Sequence, residues 1–101
     1  MRIFSDLSVN PSHTRLVAMG ELDAFSTVDL RRHLAEAADR DCWSFVLDLG
    51  RVTFTDAGGL SAVVRLKNDV RPRGGDVVIV AASPTFRRVA GLAGLTEAFG
   101  L

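Results

Sequence analysis

Two short, largely apolar runs constrain the fold of this chain more than any other feature. They are Phe45–Leu49 and Val77–Ala82. Each has the length of a strand, and both are far too short to span a bilayer. Runs of this kind are typical of central parallel strands covered by helices on both faces. We therefore expect an α/β protein with these two strands inside its sheet.

Helix start signals fall between the predicted strands. Ser26 and the Asp three residues later form a Ser-x-x-Asp capping pattern, and Phe25 can pack on Leu30 as a hydrophobic staple. Asp56 caps a second predicted helix, and Ser83-Pro84 opens a third, since proline at the first helical position loses no hydrogen bond. On these helices we expect Lys67 and His33 to face water.

The remaining elements complete one domain over residues 1–101. The sequence predicts two strands at the start of the chain, Arg2–Ser8 and Thr14–Met19, joined as a hairpin by a turn at Asn10–His13. The order β-β-α-β-α-β-α predicts a mixed sheet of four to five strands with three to four helices packed on it. Leu95 and Phe99 are expected to pin the C-terminal turn to the core.

Composition excludes several function classes. The charges of the 12 basic and 12 acidic residues cancel. A chain without net positive charge is not expected to bind nucleic acid or an anionic membrane surface through electrostatic attraction. Cys42 is the only cysteine, and no Cys/His cluster has metal-ligand spacing, so we expect no disulfide and no metal. The first residues lack the pattern of a signal peptide. We expect a cytoplasmic protein without cofactor and without membrane insertion.

The segment Val52–Leu60 is the most unusual stretch, because it joins a central strand to a helix. Open α/β sheets place their sites at this position, beyond the carboxyl end of a strand. Asp56 is expected to accept hydrogen bonds from the N–H groups of Gly58 and Gly59. Each glycine costs a helix about 1 kcal/mol relative to alanine. Either tight packing against a neighbouring loop or close approach of a partner would explain the pair.

A second loop follows the second strand, at Gly20–Ser26. Asp23 is expected to organise its turn by binding nearby backbone N–H groups. If the two strands are neighbours, Asp23 and Asp56 lie on the same edge of the sheet, where their carboxylates suit an Arg- or Lys-rich partner. A hydrolase is disfavoured because the chain has no Tyr and one Trp, and so lacks an aromatic platform. No phosphate-binding glycine motif is present, which leaves nucleotide binding a weak alternative.

These residues resemble a known family. Gly20-Glu-Leu-Asp23 and the block Leu47–Leu60 are similar to the two characteristic motifs of STAS domains, the fold of the anti-sigma factor antagonists. The resemblance extends over most of the chain. It includes Gly74-Gly75, which precede an apolar strand, and Gly91–Leu95, which follow the start of the last helix.

The resemblance implies partner switching in bacterial transcription. Family members bind an anti-sigma factor, in many cases one with a GHKL-type kinase fold, and binding releases the sigma factor. The kinase phosphorylates the serine after the motif aspartate, which breaks the complex. Ala57 stands at that position here, so the usual phosphorylation is absent. Thr55 and Ser61 are nearby hydroxyls outside the family position.

The sequence thus predicts a non-enzymatic antagonist of an anti-sigma factor or serine-protein kinase-like protein, which is also able to form a weak homodimer. The alternative is a non-phosphorylated STAS subunit of a larger signalling or transport assembly. The predicted partner-binding residues are Asp23, Ser26, Thr55, Asp56, Ala57, Gly58, Gly59 and Leu60.

Overall fold

The computed structural model describes residues 1–6 and 12–101, which alternate strands and helices in the predicted order. The four strands are β1 (Arg2–Asp6), β2 (Thr14–Leu22), β3 (Phe45–Thr55) and β4 (Val77–Ala82). The three α-helices are α1 (Ser26–Ala38), α2 (Ala57–Val70) and α3 (Pro84–Leu92), and a short 3-10 helix at Arg71–Arg73 follows α2.

The four strands form one mixed sheet in the order β1-β2-β3-β4. β1 pairs with β2 antiparallel, while the β2–β3 and β3–β4 pairs are parallel. The predicted α/β fold with a mixed sheet is confirmed, but the expectation that Val77–Ala82 lies inside the sheet was wrong, because β4 is an edge strand. The predicted turn at Asn10–His13 and the end of the first predicted strand at Ser8 fall partly on residues 7–11, which lie outside the described residues.

β2 and β3 are longer than the sequence predicted, and this is a correction. They were expected to end at Met19 and Leu49, but they continue to Leu22 and Thr55. Their extensions pair with each other across two register irregularities, one of them next to Gly20. Gly20 has φ +94, a left-handed conformation that glycine adopts readily at such a bulge.

The helices cover one face of the sheet, so the expectation of strands buried on both faces was wrong. In β4, the side chains of Val78 and Val80 are 51% and 55% exposed, whereas the side chain of Val77, which points to the other face of the sheet, is buried. The cause is topological. The chain moves in one direction across the sheet, from β2 to β3 to β4, through two right-handed crossovers, which place α1 and α2 on the same side.

The core lies between that covered face and the helices. Phe45, Leu47 and Leu49 point inward from β3 and are fully buried. The C-terminal turn closes one end of the core as predicted, because the buried Phe99 ring stacks on Phe86 of α3 with centroids 5.7 Å apart. The other buried apolar side chains include Leu16, Ala18, Leu30, Ala37, Val52, Leu60, Val63, Leu66, Val70, Val77 and Ala90.

Two side chains that were expected to face water do not. Lys67 folds against the start of β4, where its Nζ donates to the Val77 carbonyl at 2.9 Å and lies 3.5 Å from Asp76. His33 is buried on α1, with Nδ1 3.9 Å from Glu36 Oε2 and neither ring nitrogen hydrogen-bonded to any described residue. Within the described ranges, the helices are all too short or too polar to cross a membrane.

Candidate functional site

The site is built at the edge of the sheet where the parallel strands β2 and β3 end. Their last residues, Leu22 and Thr55, are partners in the register. Asp23 and Asp56 come directly after them, so the two carboxylates lie on the same edge, as the sequence predicted. We call this region the rim; it comprises the loop and first helical turn at residues 23–28 and the start of α2 at residues 56–60.

Asp56 caps α2, as predicted. Its backbone is extended, with φ −136 and ψ −172, which turns the side chain back over the first helical turn. Asp56 Oδ1 accepts a hydrogen bond from the Gly59 N–H at 3.0 Å. The sequence also predicted a hydrogen bond from the Gly58 N–H to Asp56, but the hydrogen bonds found among the described residues do not include it. A carboxylate held here fills one donor that an anionic ligand of this helix would otherwise use.

Asp23 organises its loop, also as predicted. Its Oδ1 accepts a hydrogen bond from the Phe25 N–H at 3.0 Å. In return the Ser26 hydroxyl accepts one from the Asp23 N–H at 2.9 Å. The prediction that Ser26 caps α1 was wrong, because Ser26 is the first helical residue and its hydroxyl is bound to the loop. Phe25 occupies the cap position without a side-chain bond.

The two glycines of α2 are required by packing. A Cβ built on Gly58 would lie 2.8 Å from the Ala24 nitrogen and 2.9 Å from its Cβ. A Cβ on Gly59 would overlap the Leu22 carbonyl oxygen and the Thr55 hydroxyl, and would lie 2.7 Å from the Leu22 carbonyl carbon. The first turn of α2 therefore packs closely against the last residue of β2 and against the loop that follows β2. Of the two explanations that the sequence left open, close packing accounts for both residues.

The predicted site residues divide into an exposed group and a buried group. Asp56 and Ala57 are exposed, and Asp23 and Gly58 are half-buried, so these four line the surface of the rim. The other four support it from beneath, because each is buried: Ser26, Thr55, Gly59 and Leu60.

Sequence reasoning missed two apolar side chains on the rim. Phe25 is 83% exposed, so the predicted staple onto Leu30 does not form. Val28, in the first turn of α1, is 72% exposed. The signal was present in the sequence, since Val28 interrupts the otherwise polar side of the helix next to Asp29, but the capping interpretation of Phe25 obscured it. Exposed apolar side chains beside charged ones are typical of protein interaction sites.

A shallow groove runs from the rim along α2. It has a volume of about 360 Å³ and separates α2 from the C-terminal segment at Ala93 and Leu95. Ala57 forms one end of its lining, and Ser61 and Arg65 lie further along the same helix. In the part of the chain that the structure describes, no three His, Cys, Asp or Glu side chains are grouped so that they could hold a metal ion.

Fold and site together define a two-layer α/β domain with its candidate site at the carboxyl edge of its parallel strands. A family model described as the Mlab, STAS domain matches residues 5–101. Because this match spans nearly all of the sequence, the chain belongs to the STAS domain family.

Solved structures share the fold. The anti-sigma factor antagonist SpoIIAA in its unphosphorylated form superposes with a TM-score of 0.77 at 21% identity, over 95% of this chain and 84% of that one. The Bacillus cell fate determinant SpoIIAA in the phosphorylated form gives a TM-score of 0.71 at 21% identity, over 95% and 86% of the two chains. At this identity the likeness establishes the common architecture.

The cap at Asp56 is expected to make a measurable contribution to stability. Asp56→Ala removes the acceptor of the Gly59 N–H, and we expect it to lower the free energy of unfolding by about 1 kcal/mol. Asp56→Asn retains an acceptor oxygen and is the matched control, with an expected loss of only a few tenths of a kcal/mol. Urea denaturation followed by circular dichroism measures both. Equal losses in the two variants would contradict the capping role.

Proposed function

We propose that this chain is an anti-sigma factor antagonist, which binds an anti-sigma factor in the cytoplasm and so releases a sigma factor to regulate transcription. It acts by binding and performs no catalysis. Membership of the STAS family supports this proposal, as does the architecture shared with SpoIIAA, a protein described as such an antagonist. The observation that carries it is the rim, where Asp23, Asp56 and Ala57 share one exposed edge.

The chemistry of the rim indicates what a partner must offer. Phe25 and Val28 provide apolar surface that is not buried within the described chain, and an aromatic anchor of this kind commonly contributes much of the energy of an interface. Asp23 and Asp56 add two carboxylates beside it. An anti-sigma factor with an apolar pocket bordered by Arg or Lys side chains would complement both features.

Ala57 makes the proposed antagonist permanently active. It has no hydroxyl, so the position that carries the family's serine accepts no phosphate. Thr55 does not replace it, because Thr55 is buried and its hydroxyl lies under Gly59. A kinase-type anti-sigma factor would therefore bind this surface without the family's serine, through which phosphorylation breaks the complex.

A pull-down from the source cell tests the proposed function. We expect the wild-type chain to recover an anti-sigma or kinase-like protein, which is then purified for titration. Val28→Glu places a charge on the rim and should weaken that complex by at least about tenfold. Val78→Glu is the matched control, since it introduces the same side chain on the other side of the sheet, and we expect unchanged affinity.

Two results would contradict the proposed function. One is recovery of no anti-sigma or kinase-like partner under conditions that recover other complexes. The other is an equal loss of affinity in Val28→Glu and Val78→Glu, which would place the contact surface elsewhere.

A second candidate is a STAS subunit of a larger signalling or transport assembly. Ala57 favours it, since a structural subunit has no need of a phosphate acceptor. Transcription in vitro separates the two. An antagonist restores sigma-dependent transcription that the recovered partner represses, whereas an assembly subunit leaves it repressed.

A further inference from the structure

Phe25 carries the most exposed aromatic ring of the described residues. The residue is 83% exposed, compared with 53% for Phe4 and 46% for Phe54. An apolar ring stabilises a fold only to the extent that folding removes it from water. The ring of Phe25 therefore adds almost nothing to the core, and its surface is available to a partner.

The backbone that presents this ring is held on both sides. The Phe25 N–H donates to Asp23 Oδ1 at 3.0 Å, and the Phe25 carbonyl accepts the Val28 N–H at 3.2 Å. The Asp23 N–H donates to the Ser26 hydroxyl at 2.9 Å and closes the same turn. A partner that takes the ring therefore has to order only its two side-chain torsions, which keeps the entropic cost of binding small.

Phe25 lies outside both motifs on which the family resemblance rests. Asp23 ends the first motif and Asp56 belongs to the block Leu47–Leu60, whereas Phe25 follows the first motif by two residues. Side chains that a family shares give its members the same attraction for a partner. Discrimination between partners must therefore come from exposed side chains outside the shared motifs, and on the rim Phe25 is the largest of these.

We propose that Phe25 is the residue by which this chain selects its anti-sigma factor, through a socket that accepts one aromatic ring and carries a cation at its mouth. This inference rests on the proposed function. Charge complementarity supports the cation, because Asp23 lies beside the ring and neither Asp23 nor Asp56 forms an ion pair within the described residues. An anti-sigma factor with a flat or acidic surface at this place is rejected.

Calorimetric titration of the recovered and purified anti-sigma factor tests this proposal. We expect Phe25→Ala to weaken the complex by at least about 30-fold, as the loss of a buried aromatic anchor does. Phe4→Ala is the matched control, since it makes the same change at a half-exposed phenylalanine of β1 outside the rim, and it should bind like the wild type. For a second anti-sigma factor of the source cell, Phe25→Ala should reduce the discrimination between the two proteins by at least about tenfold.

Urea denaturation separates a lost contact from a damaged fold. Because the ring is exposed, Phe25→Ala should keep the unfolding midpoint of the wild type. Wild-type affinity in Phe25→Ala, while Val28→Glu weakens the complex, would overturn this inference and leave the proposed function standing. Equal losses in Phe25→Ala and Phe4→Ala, or unchanged discrimination between the two anti-sigma factors, would also overturn it. Recovery of no anti-sigma factor would remove the proposed function and this inference together.

Discussion

Replacement of Gly59 by alanine is expected to cost about 3 kcal/mol or more of folding free energy, a large share of the roughly 5–15 kcal/mol that holds a small domain together. The added Cβ would overlap the Leu22 carbonyl oxygen and lie 2.7 Å from its carbon. Both are backbone atoms of the last residue of β2, which pairs with Thr55 at the end of the ladder with β3, so they cannot move aside without disturbing that pair. Either α2 must shift away from the sheet or the end of β2 must detach.

Gly91→Ala is the matched control for this prediction. Gly91 also lies in a helix, but a Cβ there would meet only the Thr96 hydroxyl, at 3.7 Å, which is ordinary contact. Because alanine favours a helix over glycine, Gly91→Ala should stabilise the chain by up to about 1 kcal/mol. Urea denaturation compares the two variants. Gly59→Ala as stable as the wild type would contradict the close packing of the rim.

Ala57→Ser is expected to create a phosphorylation switch that the wild-type chain lacks. Residue 57 is the first residue of α2 and is exposed, so a serine there presents its hydroxyl to a kinase-type partner. A phosphoserine carries a charge of about −1.5 to −2 at pH 7. Beside Asp56 and inside an interface, that charge should weaken the proposed complex by about 100-fold or more.

Intact-mass spectrometry and titration after incubation with the recovered partner and ATP measure this effect. The wild type should gain no phosphate and keep its affinity, whereas Ala57→Ser should gain one phosphate and lose the partner. Adding Ser61→Ala to Ala57→Ser should change neither result. Phosphate uptake by the wild type, or by Ala57→Ser only at Ser61, would show that position 57 is not the acceptor.

Much of the fold could be predicted from the sequence, because its strongest signals are local. The apolar runs at Phe45–Leu49 and Val77–Ala82 identified two strands, although only the first is internal to the sheet. Asp56 and Ser83 each cap a helix where predicted. The location of the rim followed from topology, since the carboxyl ends of adjacent parallel strands meet at one edge. That inference needed only the order of the elements.

What the sequence did not reveal depends on contacts between distant segments. The extensions of β2 and β3 to Leu22 and Thr55 each begin with a glycine followed by a charged residue, which hides the continuation of the strand. They are strands because they pair with each other. An apolar run does not show how many of its faces are covered, which here depends on the handedness of two crossovers. Ser26 had two local partners, and its bond to the Asp23 loop displaced helix capping.

The interlock between Gly58 and Ala24 has a consequence for recognition. The loop after β2 and the start of α2 are fitted together, so the two halves of the rim behave as one preorganised body. A partner that docks there gives up little conformational entropy in ordering it, and more of the contact energy remains as affinity. Recognition at this edge should therefore resemble the fit of two rigid shapes, with free and bound backbones nearly superimposable.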